Sequence, residues 1–138
     1  MQVEIVIEET DELYEAFQRL VPQLTTNNPP PSLNHLTALV RDPSSTLLVA
    51  RNDDQKIIGA LTLIVYRVPT GIRSIIEDVI VDNSARGLGI GETLMKHAIE
   101  VARGKGAMNI SLTSNPKREA ANRLYLRVGF KKRKTNAY

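Results

Sequence analysis

The sequence predicts an α/β domain: a mixed, mostly antiparallel sheet with helices on both faces, in the order β-α-α-β-β-β-α-β-α-β. Two observations carry that expectation. Short stretches of alternating or β-branched apolar residues mark strands, while longer stretches with apolar residues three and four apart mark helices. Clusters of Pro, Gly, Asn and Asp separate them. The 138 residues, 42% of them hydrophobic, suit one domain over 1–138 with its own core and leave little room for a second.

"QVEIVIE" alternates Val3, Ile5 and Ile7 with polar neighbours and reads as a strand half-buried on one face. Thr10 is a good N-cap for a helix carrying Leu13, Phe17, Leu20, Val21 and Leu24, broken by Pro22 and "TTNNPPPS". Ser32 caps a second helix, with Leu33, Leu36, Leu39 and Val40 on one side, closed by "RDPSS". "TLLVAR", "IIGALTLIVYRV" and "IRSIIEDVIVD" follow as strands, joined by the turns "NDDQK" and "PTG", and so predict an antiparallel meander. Ile90, Leu94, Ala98 and Val101 share one face of a third helix, which "RGKGA" stops. "MNISLTS" then reads as a strand and "PKREAANRLYLRV" as a helix, with Pro116 near its first turn and Ala121, Leu124 and Val128 as its stripe. "GFKKRKTNAY" reads as a last strand.

Composition removes several function classes. No cysteine is present, which excludes a disulfide framework, a thiolate zinc site and a cysteine nucleophile. His35 and His97 lie too far apart to form a local metal pair, so no metal is expected. No apolar run reaches the roughly 18 to 20 residues of a bilayer span, and the N-terminus lacks a basic-then-apolar signal pattern. The reading is a soluble, untargeted, cytoplasmic protein with no membrane partner. The formal charge is +3, with the excess gathered in "RVGFKKRKTNAY". That cluster is either a solvated strand or a contact for a phosphate or acidic partner. Aromatic residues make up only 4% of the chain, too few for base-stacking platforms, so nucleic acid is not expected.

"VDNSARGLGIGETLMKHAIE", residues 81–100, places Gly87, Gly89 and Gly91 just ahead of the third helix. A helix N-terminus exposes unpaired N–H groups and the positive end of the helix dipole, and glycines let a ligand approach that backbone closely. Successive N–H groups there make a cradle for a phosphate or pyrophosphate, with Arg86 at its mouth. A tight connection that needs flexible φ and ψ and binds nothing is the alternative. The dinucleotide fingerprint fails because Glu92 stands where its third glycine belongs, and the Walker loop fails because "GIGET" lacks its lysine and its spacing.

Arg86, Gly89 and Gly91 do meet Arg-x-x-Gly-x-Gly between a strand and a helix. With "IIEDVIVD" before it, "REAANRLYLRVGF" after it and the order of elements, the chain resembles the GCN5-related N-acetyltransferase (GNAT) superfamily over nearly all its length. The resemblance implies acetyl transfer from acetyl-coenzyme A to a primary amine by direct attack through a tetrahedral intermediate, with a small molecule or a peptide as acceptor. It implies that Arg86, Gly87, Leu88, Gly89, Ile90, Gly91 and Glu92 hold the coenzyme's phosphates. It also implies that the meander's last strand and the strand after the coenzyme helix splay apart, and that Val79, Ile80 and Val81 pair with the pantetheine as if it were an added strand. Asn122 is carried over as a further coenzyme contact, although relatives with Asn at the position of Arg118 leave that contact open.

An amine of pKa about 10.4 must lose a proton before it attacks. Alternation puts Glu77 with Ile75, Val79 and Val81 on one face and Asp78 with Ile76 and Ile80 on the other, so only one of the two acids is expected at the site. Glu77 is the candidate base, with substrate binding or a surface ion pair as its other readings. A backbone N–H near Val79 is expected at the oxyanion. Tyr125 matches the superfamily tyrosine that protonates the leaving thiolate; a core tyrosine is its other reading. A phenol is a weaker acid than a thiol, so placement must count for more than strength. A non-catalytic module that binds acyl-coenzyme A or another anion is the rival, and Glu77 with Tyr125 favours catalysis. The last strand is expected to be short or to be completed by a partner copy in a homodimer. Substrate identity is not readable, although "IEDVIVD" also looks like the corresponding strand of glucosamine 6-phosphate N-acetyltransferases.

Overall fold

A computed structural model describes residues 1–138. The chain runs β1 (Gln2–Ile5), α1 (Asp11–Leu24), α2 (Leu33–Arg41), β2 (Ser45–Arg51), β3 (Ile57–Val68), β4 (Gly71–Val81), a single 3-10 turn (Asn83–Ala85), α3 (Ile90–Gly104), β5 (Ile110–Ser111) and α4 (Glu119–Val128). The strands lie in the order β1-β2-β3-β4-β5. The first four pair antiparallel, and β5 joins β4 in parallel.

The sheet is covered on both faces, as expected. Leu47 and Val49 of β2 pack with Leu13, Phe17 and Leu20 of α1 and Leu36 of α2, while Leu48 and Ala50 pack on the other side with Leu94, Met95 and Ala98 of α3. Alternate residues of one strand thus feed two cores, which is why "TLLVAR" reads as a continuous apolar run rather than an alternating one. Both early caps form: the Thr10 hydroxyl accepts from the Leu13 N–H at 3.1 Å and the Ser32 hydroxyl from the His35 N–H at 3.1 Å. Pro22 does not end α1, which continues to Leu24, because a proline in the last turn removes only one ladder bond.

Three expectations at the C-terminal end need correction. α4 starts at Glu119, not at Pro116. β5 keeps only two residues of "MNISLTS". The tail from Gly129 to Tyr138 forms no strand, so the sheet has five strands and not six. A strand two residues long offers little edge to pair with, and Lys131, Lys132, Arg133 and Lys134 repel one another along the segment that would have to pair.

Two acids tie the elements together. Arg51 donates to Glu4 at 2.8 Å and to both oxygens of Glu12 at 2.7 and 2.8 Å, and these bonds hold the Glu12 carboxyl below its ordinary range. Burial works to raise the Asp82 carboxyl, but hydrogen bonds from Ser84 and the charges of Arg19 and Lys56 outweigh it and hold it low. For both groups the unfolded chain binds a proton more readily than the folded one, so their stabilisation is present above a pH of about 4 and is lost as pH falls through the lower folded values. Thermal melts in a pH series should show the wild-type midpoint falling below that pH. Asp82→Asn should fall less steeply, from a lower plateau.

Candidate functional site

β4 and β5 pair only at Ser74 with Ile110 and Ile75 with Ser111; beyond these pairs the two strands part. The gap opens into a cleft of about 210 Å³. Ile76, Glu77, Asp78 and Val79 form its β4 wall, and Leu112 and Thr113 face them from the chain after β5. Arg118 and Tyr125 close it from the α4 side, and Leu24 from the end of α1.

A bulge in β4 shapes this wall. Ala60 stands opposite Ile80 and Thr62 opposite Glu77, so three steps of β4 match two of β3. Asp78 takes up the extra length at φ +49°, a left-handed conformation that aspartate tolerates better than most residues. One inserted residue reverses the side-chain alternation. Ile76 packs under α3 and α4, Ile80 packs with α1 and α2, and Val79 and Val81 lean towards the α3 core. The expected grouping of Asp78 with Ile76 and Ile80 on one face therefore does not hold, because those two isoleucines lie on opposite faces. Glu77 and Asp78 both line the cleft, which corrects the expectation that only one acid reaches it. Asp78 and Val79 have no residue opposite them in β3 or in β5.

Tyr125 is only 6% exposed and lines the cleft from the last turn of α4. Gly129, at φ +117°, turns the chain back so that Phe130 donates its N–H to the Tyr125 carbonyl at 3.0 Å and meets the Tyr125 ring edge-on, with 6.5 Å between centroids. "LYLRVGF" is thus a device that holds one tyrosine in place.

The glycine loop lies at the start of α3. The Asp82 carboxylate caps the 3-10 turn by accepting from the Ser84 N–H at 3.0 Å, and the exposed residues Arg86 to Gly89 follow. Gly87 at φ +83° and Gly89 at φ +78° are left-handed. A Cβ at either would meet no atom of the chain within 4 Å, so conformation and not packing calls for glycine there. Thr93 is the first α3 residue to close a helical bond, donating its N–H to the Gly89 carbonyl at 3.1 Å, so the N–H groups of Ile90, Gly91 and Glu92 stand at the open end of the helix. Leu88 is exposed, while the Ile90 side chain is buried in the core. Gly91 serves packing: a Cβ there would lie 2.9 Å from Leu124 Cδ2, so its absence lets α4 approach α3.

Asn122 is turned to its own loop. Its Nδ2 donates to the Asn115 carbonyl at 3.0 Å and to the Arg118 carbonyl at 2.8 Å, which leaves only the amide oxygen for another partner. His97 is exposed, with Nδ1 2.9 Å from the Thr93 carbonyl. No three His, Cys, Asp or Glu side chains cluster as metal ligands would, and no helix is long and apolar enough to cross a membrane. The hydroxyl of Ser114, just after Leu112 and Thr113, is buried without a hydrogen-bond partner. Sequence patterning offers no signal for Arg118 or Leu24 at the cleft, because they come from segments far apart in the chain that meet only in the fold.

The model of the acetyltransferase (GNAT) family matches residues 8–130. The chain belongs to that family. Glucosamine 6-phosphate N-acetyltransferase of Trypanosoma brucei brucei is 34% identical over 79 residues, which are 55% of this chain and 52% of that protein. The chain therefore spans about half the length of that relative. Among solved structures, a Trypanosoma brucei acetyltransferase superposes with a TM-score of 0.78 at 26% identity, over 99% of this chain and 98% of the other. A transcriptional regulator from Bacillus halodurans C-125 superposes with a TM-score of 0.79 at 28% identity, over 99% and 98%. The family's use of acetyl-coenzyme A can be tested against these residues. An open strand gap and two left-handed glycines with free space beside them fit such a ligand.

Proposed function

We propose that this GNAT domain transfers the acetyl group of acetyl-coenzyme A to a primary amine. The observation that carries the reading is the cleft where β4 and β5 part, lined by Glu77, Asp78 and the buried Tyr125 beside the β4 bulge. When bound, the thioester supplies an activated acetyl group. Glu77 takes the proton of the incoming ammonium, directly or through water, and Asp78 adds a second negative charge that draws the cation in. The N–H of Val79, at the bulge where the β3 pairing is interrupted, meets the charge that develops on the acetyl oxygen. The C–N bond would form first, giving the tetrahedral oxyanion, and its collapse would break the C–S bond; the Tyr125 hydroxyl would give its proton to the departing sulfur, and the extra proton on the new amide nitrogen would restore the phenol, directly or through water. Arg86 and the N–H groups of Gly87 to Glu92 hold the phosphates, with the Ile90 and Gly91 side positions engaged in packing.

The acceptor to try first is an amino-sugar phosphate. The Trypanosoma relative is named for one, and Arg118 offers a cation at the cleft beside the two acids that suit an ammonium. The tail cations Lys131 to Lys134 are exposed and form no ion pair, so they are free to add to that preference. A homodimer is the quaternary arrangement proposed with this reading, and sedimentation equilibrium tests it.

Ser114, one residue beyond Thr113 in the cleft wall, offers a test that separates ligand contact from structure. Its hydroxyl makes no bond in the free chain, so Ser114→Ala should leave the thermal midpoint unchanged or slightly raised. The Kd for coenzyme A should rise about three- to tenfold, the worth of one hydrogen bond. Paired melts and calorimetric titrations check both. A destabilised variant with unchanged affinity would remove Ser114 from the coenzyme site.

A further inference from the structure

The sequence supplies α1 with Arg19 and Gln23, four residues apart and on one helical face. Both reach across to the start of the glycine loop. One guanidinium nitrogen of Arg19 is bonded to Asp82 Oδ2, and the other donates to the Ile57 carbonyl at 2.8 Å. The Gln23 side-chain oxygen accepts from the Asn83 N–H at 2.7 Å, and its Nε2 donates back to the Arg19 carbonyl at 3.2 Å.

Asp82 is the hub of these contacts. It is buried, its Oδ1 accepts from both the N–H and the hydroxyl of Ser84 at 3.0 Å, and its backbone is held by the Ile58 and Ala85 bonds at 2.8 and 2.9 Å. Every bond that fixes the turn leading to Arg86 therefore passes through Asp82 or its neighbour Asn83. Arg19 is the side chain that completes the buried carboxylate. Meanwhile Leu24, one residue beyond Gln23 on the same helix, forms part of the cleft wall.

We infer that Arg19 is a positioning residue: through Asp82 it sets the loop from Arg86 to Gly91 for coenzyme phosphates, and through α1 it fixes that loop relative to the cleft wall at Leu24. The proposal rests on the reading of that loop as the coenzyme site. Arg19 itself touches no phosphate here. A misplacement of a helix start by a fraction of an ångström weakens several N–H contacts at once, which is how a residue remote from the ligand changes its affinity.

The test is calorimetric titration of the folded protein with coenzyme A, using wild type, Arg19→Met, Arg19→Lys and Asp82→Asn. Arg19→Met removes a positive charge and Asp82→Asn removes a negative one, so a direct field effect on an anionic ligand would move the two Kd values in opposite directions. Positioning moves both the same way. Both variants should raise the Kd by roughly tenfold or more, with partial rescue in Arg19→Lys, which keeps the charge but not the two-pronged contact. Opposite shifts overturn the proposal, and so do lowered thermal midpoints with unchanged Kd. Gln23→Ala, at an exposed contact with the turn, keeps the question answerable if Asp82→Asn does not fold, and a rise of about threefold is expected from one lost hydrogen bond. No binding by the wild type would instead remove the coenzyme reading itself, and the positioning role with it.

Discussion

Gly89→Trp is expected to raise the Kd for coenzyme A by more than about 100-fold, the loss of two or more charge-assisted contacts to backbone N–H groups. The indole would occupy space that is empty of chain atoms, at the mouth of the α3 N-terminus where the proposed function puts the phosphates. Gly89→Ala separates this from backbone strain. Both variants carry the cost of a side chain at φ +78°, about 1 to 2 kcal/mol, and should lose similar amounts of thermal stability. Only the larger side chain should abolish binding. Equal loss of affinity in both would mean that the glycine matters for loop conformation alone.

The second large effect concerns proton transfer. Glu77→Gln should lower kcat by about 10² to 10⁴, the usual contribution of a general base, while the Kd for coenzyme A stays within about twofold. The deficit should shrink as pH rises towards about 10, because an amine of ordinary basicity then supplies its own neutral form. Asp78→Asn is the necessary companion, since the β4 bulge brings both acids to the cleft. A large loss in Asp78→Asn with little change in Glu77→Gln would transfer the role to the neighbouring carboxylate. Tyr125→Phe keeps the ring against Phe130 and removes only the hydroxyl, so a fall in kcat at unchanged thermal stability would report its proton and not its packing.

Much of the fold was legible because helical and strand periodicities are strong where a face is buried. Ile90, Leu94 and Ala98 mark α3 from the sequence, and all three are buried in the structure. The caps at Thr10 and Ser32 were legible for the same reason, as each is a local chemical event. The faces of β4 were not, because alternation assumes a regular strand and one extra residue at Asp78 reverses it. Asp-Val inside an apolar run carries no mark of a bulge. The last strand misled in another way: β-branched spacing is absent from "KKRKTNAY", and whether an edge exists to receive it depends on how much of β5 pairs with β4. The burial of Tyr125 beside the cleft and the left-handed glycines ahead of α3 were readable as local features from motif and spacing. Arg118 and Leu24 at the cleft and the Arg19–Asp82 contact were not, since each depends on segments far apart in the chain meeting in space.

The central claim is turnover and not mere binding, and a product assay reaches it most directly. Acetyl-coenzyme A is incubated with the protein and glucosamine 6-phosphate, or with other small primary amines and a lysine peptide, and free thiol and acetylated amine are both measured. The account predicts thiol release matched mole for mole by acetylated amine with at least one acceptor, lost in Glu77→Gln and Gly89→Trp. Tight coenzyme binding with no acetylated product from any acceptor would contradict it and leave a binding module in its place.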